Sequence, residues 1–341
     1  MIYYILFPLV VFAINFIIKR NKFFLDYYQL DHQKFTNIQV PLVGGYFLII
    51  PIIFFFYKDY PFFSTICILI FSLGVFSDVN ILSSPKKRFF IQFLLILIFV
   101  LIKQIEVFPT RINYIDETFT NTYWSYFFTI FCLMILINGS NFIDGLNGLL
   151  LGYLLSILFI VYKLNLFSFI NISNIEIYYL IYIFLIIFIF NLSNQFFLGD
   201  SGAYFLSFFI GFTLIEIYKV NSQISPYFII LLLWYPCFEN LFSILRKLIK
   251  KKSALRPDNE HLHQFIFIFI KKKFNLQNLS ANIISGLLIN LSNFIFLYIG
   301  SINPRNTILQ LNILLVAILF YIIIYFMAKS YLKRSIVSFK E

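Results

Sequence analysis

Apolar residues occur along this chain in long runs that are separated by short clusters of polar residues. Many runs reach the length of about 20 residues that an α-helix needs to cross the hydrocarbon core of a bilayer. The pattern predicts eleven membrane-spanning helices, at 2–18, 41–57, 62–77, 89–106, 124–139, 146–162, 176–191, 203–218, 226–245, 282–300 and 308–327. We therefore expect an all-α polytopic membrane protein, with one integral-membrane domain over residues 1–341.

The composition agrees with that pattern. Hydrophobic residues make up 61% of the chain and charged residues 12%, whereas soluble domains have about 25% charged residues. The N-terminus lacks a basic segment and a small-residue cleavage site, so we interpret it as a retained first helix. The three cysteines lie in or beside apolar runs and are expected to be packing residues. The segment FIFIFIKKKFN at 265–275 could form an amphipathic helix at the inner surface or a short strand pair.

The basic residues orient the predicted helices. One side of the membrane receives 20 of the 26 Lys and Arg residues, and the other side receives six. Because cytoplasmic loops carry the excess of positive charge, the N-terminus is expected outside and the C-terminus in the cytoplasm. The net charge of +11 then lies mostly on the inner face, where anionic lipids and phosphorylated substrates explain it without nucleic acid.

Clusters of other polar residues all fall at the cytoplasmic ends of the predicted helices. They occupy five loops, at about 19–40, 77–89, 139–147, 191–203 and 246–281. One cluster alone is equally well explained as a solvated helix end or cap. Five clusters on the same side favour a single site that is assembled from several loops.

The chemistry of these loops suits phosphate and a hard cation. Oxygen donors of the kind that Mg²⁺ prefers are present at Asp78, Asn141, Asp144 and Asp200. Gly199 and Gly202 flank Asp200 and are expected to leave room for a diphosphate. Cations for phosphate oxygens are present at Lys34, Lys86, Lys87 and Arg88.

Two of the three histidines, His261 and His263, lie one residue apart in the last inner loop. A zinc site would need further His or Cys ligands at suitable spacing, and the loop has none. Phosphate binding or proton transfer is one interpretation of this pair, and a plain solvated loop is the other. His32 stands alone, and we interpret it as structural or incidental.

With these residues laid out, the chain resembles the polyprenyl-phosphate N-acetylhexosamine-1-phosphate transferases. This superfamily includes the bacterial WecA-type enzymes, to which the predicted topology is most similar, and the phospho-MurNAc-pentapeptide translocase. The resemblance rests on ordered motifs, which are PLVGG at 41–45, GVFSD at 74–78, SPKKRFFIQ at 84–92, NGSNFIDGLNG at 138–148, FLGDSGAYFL at 197–206, YPCFENLFSILRK at 235–247 and PDNEHLHQ at 257–264.

The resemblance implies a Mg-dependent phosphoglycosyl transferase of the bacterial inner membrane, for which Mn²⁺ can replace Mg²⁺. Such enzymes transfer a sugar-1-phosphate from a UDP-N-acetylhexosamine to undecaprenyl phosphate at the cytoplasmic face and release UMP. The product starts the synthesis of a lipid-linked surface glycan such as O-antigen, capsule or cell-wall polysaccharide. Because both substrates are anions, a divalent cation and fixed basic side chains would screen the repulsion between them.

The resemblance also implies roles for single residues. Asp200, Asn141 and Asp78 would hold the metal, and Asp78, Asp144, Asp200, His261 and His263 would be the catalytic residues. Substrates would contact Lys34, Lys86, Arg88, Asn141, Asp144, Asn147, His261 and His263. Asp144 and Asn147 match positions that contact the nucleotide, and the histidines match a loop near the donor diphosphate and sugar.

Three positions depart from the family pattern. Ser77 stands where the family has the first of two paired aspartates, Asn147 replaces a second aspartate, and HLHQ at 261–264 replaces HxHH. A phosphate monoester is mostly dianionic at pH 7, so a carboxylate base at position 77 is not required. We therefore interpret Ser77 as a branch variant.

Three other functions are compatible with parts of this sequence. The peptidoglycan translocase is disfavoured by the histidine loop and by the eleventh predicted helix. A lipid-linked glycan transporter would have ionisable residues near the bilayer midplane and not at helix ends on one side. An inactive scaffold is suggested only by the three departures. The sequence does not name the sugar, and it leaves open whether the chain forms a homodimer.

Overall fold

The computed structural model describes residues 2–23, 40–107, 109–169, 174–251, 253 and 260–337. These ranges fold into thirteen α-helices and one short 3₁₀ helix at Leu166–Phe169. The α-helices in chain order are α1 (Ile2–Arg20), α2 (Gly44–Phe56), α3 (Pro61–Asp78), α4 (Pro85–Lys103), α5 (Asn113–Phe119), α6 (Thr122–Ile143), α7 (Leu149–Lys163), α8 (Asn174–Leu192), α9 (Gly199–Val220), α10 (Pro226–Ile249), α11 (Leu262–Phe274), α12 (Asn278–Ile302) and α13 (Thr307–Val337).

The predicted all-α fold is confirmed, and each of the eleven predicted ranges overlaps one of these helices. The additional helices are α5 and α11, and α11 shows that the segment at 265–275 is helical and not a strand pair. By length and hydropathy, six helices in the described ranges are candidate membrane spans, namely α3, α6, α9, α10, α12 and Thr307–Leu332 of α13. The number of eleven crossings and the orientation of the termini stay predictions.

Three helices, α4, α9 and α12, begin four residues earlier than the hydrophobic pattern predicts. Helix α4 starts at Pro85, where a proline in the first turn needs no hydrogen-bond acceptor for a backbone N–H. Helix α9 starts at Gly199 and carries the acidic Asp200 in its first turn, where the helix dipole favours a negative charge. Arg88 and Asp200 were therefore wrongly placed in loops, and both lie in first turns of helices.

Helix α9 lies at the centre of the bundle, and most of its side chains are buried. Two glycines on neighbouring helices allow this. A Cβ atom added to Gly74 of α3 would lie 2.3 Å from Cα of Ser201, and one added to Gly45 of α2 would lie 2.6 Å from Cα of Gly202. The backbones of α2 and α3 therefore approach α9 as closely as only small residues permit.

Helices α6 and α10 cross in close contact at Gly139 and Pro236. A Cβ atom at Gly139 would lie 2.0 Å from the carbonyl oxygen of Pro236. Pro236 also has no N–H for the carbonyl of Leu232, and the hydroxyl of Tyr153 from α7 donates to that carbonyl at 2.9 Å. The contact fixes the end of α6 beside the second half of α10.

Arg111 and Lys163 lie at the end of the bundle opposite to the polar clusters. At one end, Arg111 donates to the backbone carbonyls of Ser222, Gln223 and Ile224, and Lys163 bonds Ser301. At the other end, the last residues of α3, α6 and α8 meet the first residues of α4, α7 and α9. The segment 41–45 joins this second end, because Gly44 N–H donates to the carbonyl of Phe197 at 2.9 Å.

Candidate functional site

Asp78 holds the first turn of α9. Its Oδ1 accepts the backbone N–H of Asp200 at 2.8 Å, and its Oδ2 accepts that of Ser201 at 3.1 Å. The first N–H groups of a helix have no partner within the helix, so a carboxylate from α3 satisfies two of them. Gly199 has a φ of 78° and faces the Asp78 carboxylate, which leaves no space there for a Cβ atom. Asp78 therefore fixes the position of Asp200 at the start of α9.

The carboxylate of Asp200 is bonded by three side chains. Ser77 donates its hydroxyl to Oδ2 at 2.5 Å, and Arg88 donates Nη1 to the same oxygen at 2.6 Å and to the Ser77 hydroxyl oxygen. Tyr204, one turn further along α9, donates its hydroxyl to Oδ2 at 3.3 Å. Ser77, which replaces the first of the paired aspartates in the family pattern, thus donates a hydrogen bond to Asp200. A carboxylate at position 77 would instead repel that of Asp200.

Asp144 follows the last residue of α6 and is partly buried. Burial raises the pKa of the Asp144 carboxyl well above its ordinary range, and the negative charges of Asp200 and Asp78 raise it further. The three carboxylates predicted from the loops therefore share one electrostatic environment. The sequence placed them in separate segments, and the structure brings them together.

Asn147 is buried, and its side chain holds the loop in which it lies. Its amide donates to Oδ1 of Asn194 at 3.1 Å, and its backbone N–H donates to Oδ1 of Asn282 at 2.7 Å. The backbone of the next residue, Gly148, is bonded by two more asparagine side chains. The N–H of Gly148 donates to Oδ1 of Asn191, and the carbonyl of Gly148 accepts from the amide of Asn290. Sequence reasoning missed these four asparagines. Three of them, Asn191, Asn282 and Asn290, lie in apolar helices, where an amide is itself a signal because it needs a partner.

His261 is paired with a residue that the sequence analysis did not single out. Glu239 of α10 is fully buried, and its Oε1 lies 2.9 Å from Nδ1 of His261. Tyr321 of α13 donates its hydroxyl to the other oxygen of Glu239 at 2.6 Å. A carboxylate inside an apolar run was the available signal, because such residues are costly in a membrane and are usually paired.

His263 lies next to His261 and borders the loop that contains Asp144. The two imidazole rings stack with centroids 5.6 Å apart, and Nε2 of His263 lies against Gly145. Burial, together with the charge of the neighbouring His261, lowers the pKa of His263 to about 3. His263 is therefore neutral near pH 7, and the interpretation of this pair as a plain solvated loop is wrong since both rings are buried.

The remaining predicted residues differ in their placement. Lys86 is exposed at the start of α4, and Asn141 is partly buried in the last turn of α6. Lys34 lies outside the described residues. Gly202 does not leave room for a diphosphate as predicted, because it packs against Gly45 and the side chain of Leu198.

Comparison with known proteins finds a family to which a segment of this chain is similar. The model of glycosyl transferase family 4 matches residues 60–218, from the residue before α3 to the last turns of α9. Over this segment, which is just under half of the chain, the protein is similar to glycosyl transferase family 4. The matched segment contains Asp78, Arg88, Asp144 and Asp200, whereas Glu239, His261 and His263 lie beyond it. The superfamily that the motifs indicated is confirmed.

Three similar proteins carry the name undecaprenyl-phosphate alpha-N-acetylglucosaminyl 1-phosphate transferase. The protein of Thermotoga maritima is 28% identical over 284 residues, which are 81% of this chain and 85% of the relative. The protein of Salmonella typhi is 25% identical over 268 residues, which are 72% of this chain and 71% of the relative. The protein of Escherichia coli K12 is 30% identical over 191 residues, half of each chain.

Family 4 enzymes generally depend on a divalent metal, and the residues here fit one. In the part of the chain that the structure describes, no three Asp, Glu, His or Cys side chains form a cage for a metal ion by themselves. The charge nevertheless favours a cation, because the carboxylates of Asp78 and Asp200 raise the pKa of Asp144. Asp200, Asp144 and the amide of Asn141 supply oxygen donors, and Mg²⁺ usually takes its other ligands from substrate phosphates and water.

Proposed function

We propose that this protein transfers N-acetylglucosamine-1-phosphate, or a closely related N-acetylhexosamine-1-phosphate, from its UDP derivative to undecaprenyl phosphate. The products are UMP and a lipid-linked sugar that starts the synthesis of a surface glycan. Relatives that cover most of this chain carry the name of this activity. We propose Mg²⁺ as the metal, with Mn²⁺ as a substitute.

The observation that carries the proposal is the convergence of separate motifs at one end of the bundle. The carboxylate of Asp78 accepts the backbone N–H of Asp200, and Arg88 forms an ion pair with Asp200. The charges of Asp78 and Asp200 raise the pKa of Asp144. His263 borders the same loop as Asp144. Acidic, basic and imidazole groups at a helix end suit a reaction between two phosphates at a membrane surface better than transport through the bilayer.

The residues divide into those that bind and those that position. Asp200 and Asp144, with Asn141, would hold a divalent metal on the donor diphosphate, and Arg88 would bind phosphate oxygens. Bound metal would neutralise negative charge on the two substrates. Asp78 would act mainly by positioning Asp200, because both of its oxygens accept hydrogen bonds from α9.

The reaction itself needs no base at Ser77. An oxygen of the undecaprenyl phosphate dianion would attack the phosphorus that carries the sugar, and the bond to the UMP oxygen would break. Basic side chains near the reacting phosphates stabilise the charge that gathers there in the transition state. Lys86, which is exposed in the same turn as Arg88, and Lys34 are proposed as further phosphate contacts.

The placement in the membrane is part of the proposal. Eleven helices would cross the inner membrane, with the N-terminus outside and the active-site end in the cytoplasm, and α5 and α11 would lie at opposite surfaces. The excess of Lys and Arg in the loops at the active-site end supports this orientation. The cytoplasm is also the compartment in which UDP-sugars are made available.

The test is an assay of the purified protein in detergent or in vesicles. Undecaprenyl phosphate, Mg²⁺ and a panel of UDP-N-acetyl sugars are added singly, and both UMP and the lipid-linked product are measured. We expect UMP release with UDP-GlcNAc or a close relative, and no release without the lipid or with EDTA present. If no donor gives UMP, the transferase proposal is wrong and an inactive scaffold becomes the better interpretation.

A further inference from the structure

One face of helix α12 contacts the turn that carries Asp144. Asn282, Gly286 and Asn290 are spaced four residues apart in α12, so they lie on the same side of the helix, and all three are buried. We call them the asparagine face. The turn consists of residues 144–148, which connect the end of α6 with the start of α7.

Each residue of the asparagine face meets the backbone of this turn. Oδ1 of Asn282 accepts the N–H of Asn147 at 2.7 Å. Nδ2 of Asn290 donates to the carbonyl of Gly148 at 2.9 Å. Between these two contacts, a Cβ atom added to Gly286 would lie 2.8 Å from the carbonyl oxygen of Asn147, so the absence of a side chain lets the turn come close to α12. The second half of the turn is therefore held through its backbone.

The start of α7 needs these contacts because it has no cap of its own. Gly148 precedes the first residue of α7 with a φ of 72°, and a glycine has no side chain to cap the helix. Asn191 of α8 accepts the N–H of Gly148, so the turn is held between α8 and α12. Asn290 reaches the carbonyl of Gly148 because Gly152 leaves room, since a Cβ atom there would lie 2.3 Å from Nδ2 of Asn290.

The first residue of the held turn is Asp144. Its N–H donates to the carbonyl of Ser140 in α6 at 3.1 Å, and its carboxylate lies within reach of the charges of Asp78 and Asp200. Because Asp144 is three residues from Asn147, a shift of the turn against α12 also moves Asp144. A divalent cation shared by two carboxylates needs them at a fixed separation, so the groups that hold their backbone affect metal binding.

We infer that Asn282 and Asn290 are positioning residues that hold Asp144 at the distance from Asp200 at which both carboxylates bind one divalent cation. The two asparagines act through the backbone of the turn and not through contact with the metal. The inference rests on the proposed function for the metal and for the donor diphosphate. It goes beyond that function by giving a role to α12, which lies outside the segment that matches the family.

The test combines hydrogen exchange with metal binding. Asn282→Ala removes the acceptor of the Asn147 N–H, so exchange in the peptide that contains Asn147, measured by mass spectrometry, should become about tenfold faster at that amide. The affinity for Mn²⁺ without substrate, measured by electron paramagnetic resonance, should fall about tenfold, as loss of a group that orients a metal ligand typically causes. Asn293→Ala is the matched control, because Nδ2 of Asn293 donates to the carbonyl of Ile289 within α12 itself, and it should leave both readouts unchanged.

Steady-state kinetics separates positioning from a loss of folded protein. In Asn282→Ala the KM for the UDP-sugar should rise while the KM for undecaprenyl phosphate stays the same, whereas partial unfolding lowers kcat alone. If Asn282→Ala does not fold, Asn290→Ala tests the same turn through the carbonyl of Gly148.

Unchanged exchange or unchanged Mn²⁺ affinity in Asn282→Ala, or equal changes in Asn293→Ala, would overturn the inference and leave the transferase function intact. If the wild type releases no UMP with any donor, the proposed function fails. Exchange and Mn²⁺ binding then still decide whether α12 positions Asp144.

Discussion

Arg88 and Asp200 form an ion pair between two helix starts. Nη1 of Arg88, in the first turn of α4, lies 2.6 Å from Oδ2 of Asp200, in the first turn of α9. Both side chains are about one quarter exposed, at 23% and 26%. The guanidinium therefore neutralises the carboxylate that we propose as a metal ligand, and a bound cation has to compete with it.

Arg88→Gln should therefore tighten metal binding and slow turnover. A partly exposed ion pair contributes up to about 1 kcal/mol, so we expect the affinity for Mn²⁺ without substrate to rise a few-fold. Turnover should fall because Arg88 also stabilises phosphate charge. Mn²⁺ titration followed by electron paramagnetic resonance measures the affinity, and UMP release measures the rate.

The matched control for this substitution is Lys87→Gln. Lys87 is exposed in the same turn of α4, and the variant changes the net charge by the same amount. Weaker or unchanged Mn²⁺ binding in Arg88→Gln, or the same rise in both variants, would show that the ion pair does not compete with the metal.

Asp200→Asn should remove activity without removing the fold. The amide keeps an oxygen near Ser77 and Arg88 but carries no negative charge for a divalent cation, so we expect a loss of turnover of about 100-fold or more. Thermal unfolding in detergent should change little. Activity near that of the wild type would exclude Asp200 as a metal ligand.

Asp78→Ala should instead destabilise the protein. The substitution leaves the N–H groups of Asp200 and Ser201 without their partner, and loss of such a helix cap costs about 1 to 2 kcal/mol. We expect a lower midpoint of thermal unfolding than in Asp200→Asn, together with reduced turnover. Equal midpoints in the two variants would mean that Asp78 does not hold the start of α9.

Gly74→Ala tests the close contact between α3 and α9. The new methyl group would meet the backbone of Ser201 at 2.3 Å from Cα and 2.5 Å from N, and a backbone cannot move aside as a side chain can. We expect a destabilisation of about 1 to 3 kcal/mol in thermal unfolding and a marked loss of activity, because Asp78 moves away from Asp200.

Gly211→Ala, in α9 itself, is the control for the previous variant. Its methyl group would meet only the ends of Leu133 and Leu136 at 2.8 and 2.9 Å, which can adjust. A destabilisation as large as that of Gly74→Ala would indicate that α9 tolerates no added volume anywhere, and not a specific contact at Ser201.

His263 should make the protein less stable in acid. Its pKa is lowered to about 3 in the folded protein, so between pH 6.5 and pH 3 the unfolded chain binds a proton there and the folded protein does not. Stability is therefore lost as pH falls below about 6.5, by up to about 1.4 kcal/mol per pH unit. Between pH 7 and pH 5, the free energy of unfolding should fall by about 2 kcal/mol more in wild type than in His263→Asn.

The comparison of the two proteins at both pH values isolates this group. Asp144 acts in the opposite direction, since its raised pKa makes the folded protein take up a proton more readily as pH falls. That contribution is present in wild type and in His263→Asn and cancels in the difference. An equal pH dependence of unfolding in both proteins would show that His263 is not held neutral by burial.

The positions of the helices and the residue types of the site were determined by the sequence. Apolar runs of membrane length predicted a helix in every place where α1 to α4, α6 to α10, α12 and α13 occur, because burying a backbone in lipid requires its hydrogen bonds to be made within the helix. The acids at 78, 144 and 200 stood out since charge is rare in such a chain. Their order and spacing also indicated the family.

The tertiary structure decided what each group bonds. The start of α9 depends on a carboxylate from α3, and the approach of the two helices depends on Gly74 meeting Ser201, so neither could be read from local sequence. Glu239 and His261 are 22 residues apart and meet only because α10 and α11 fold together. The hydropathy of the sequence shows that a polar side chain is costly in a membrane. It does not show which residue offsets that cost, because the partner lies on another helix.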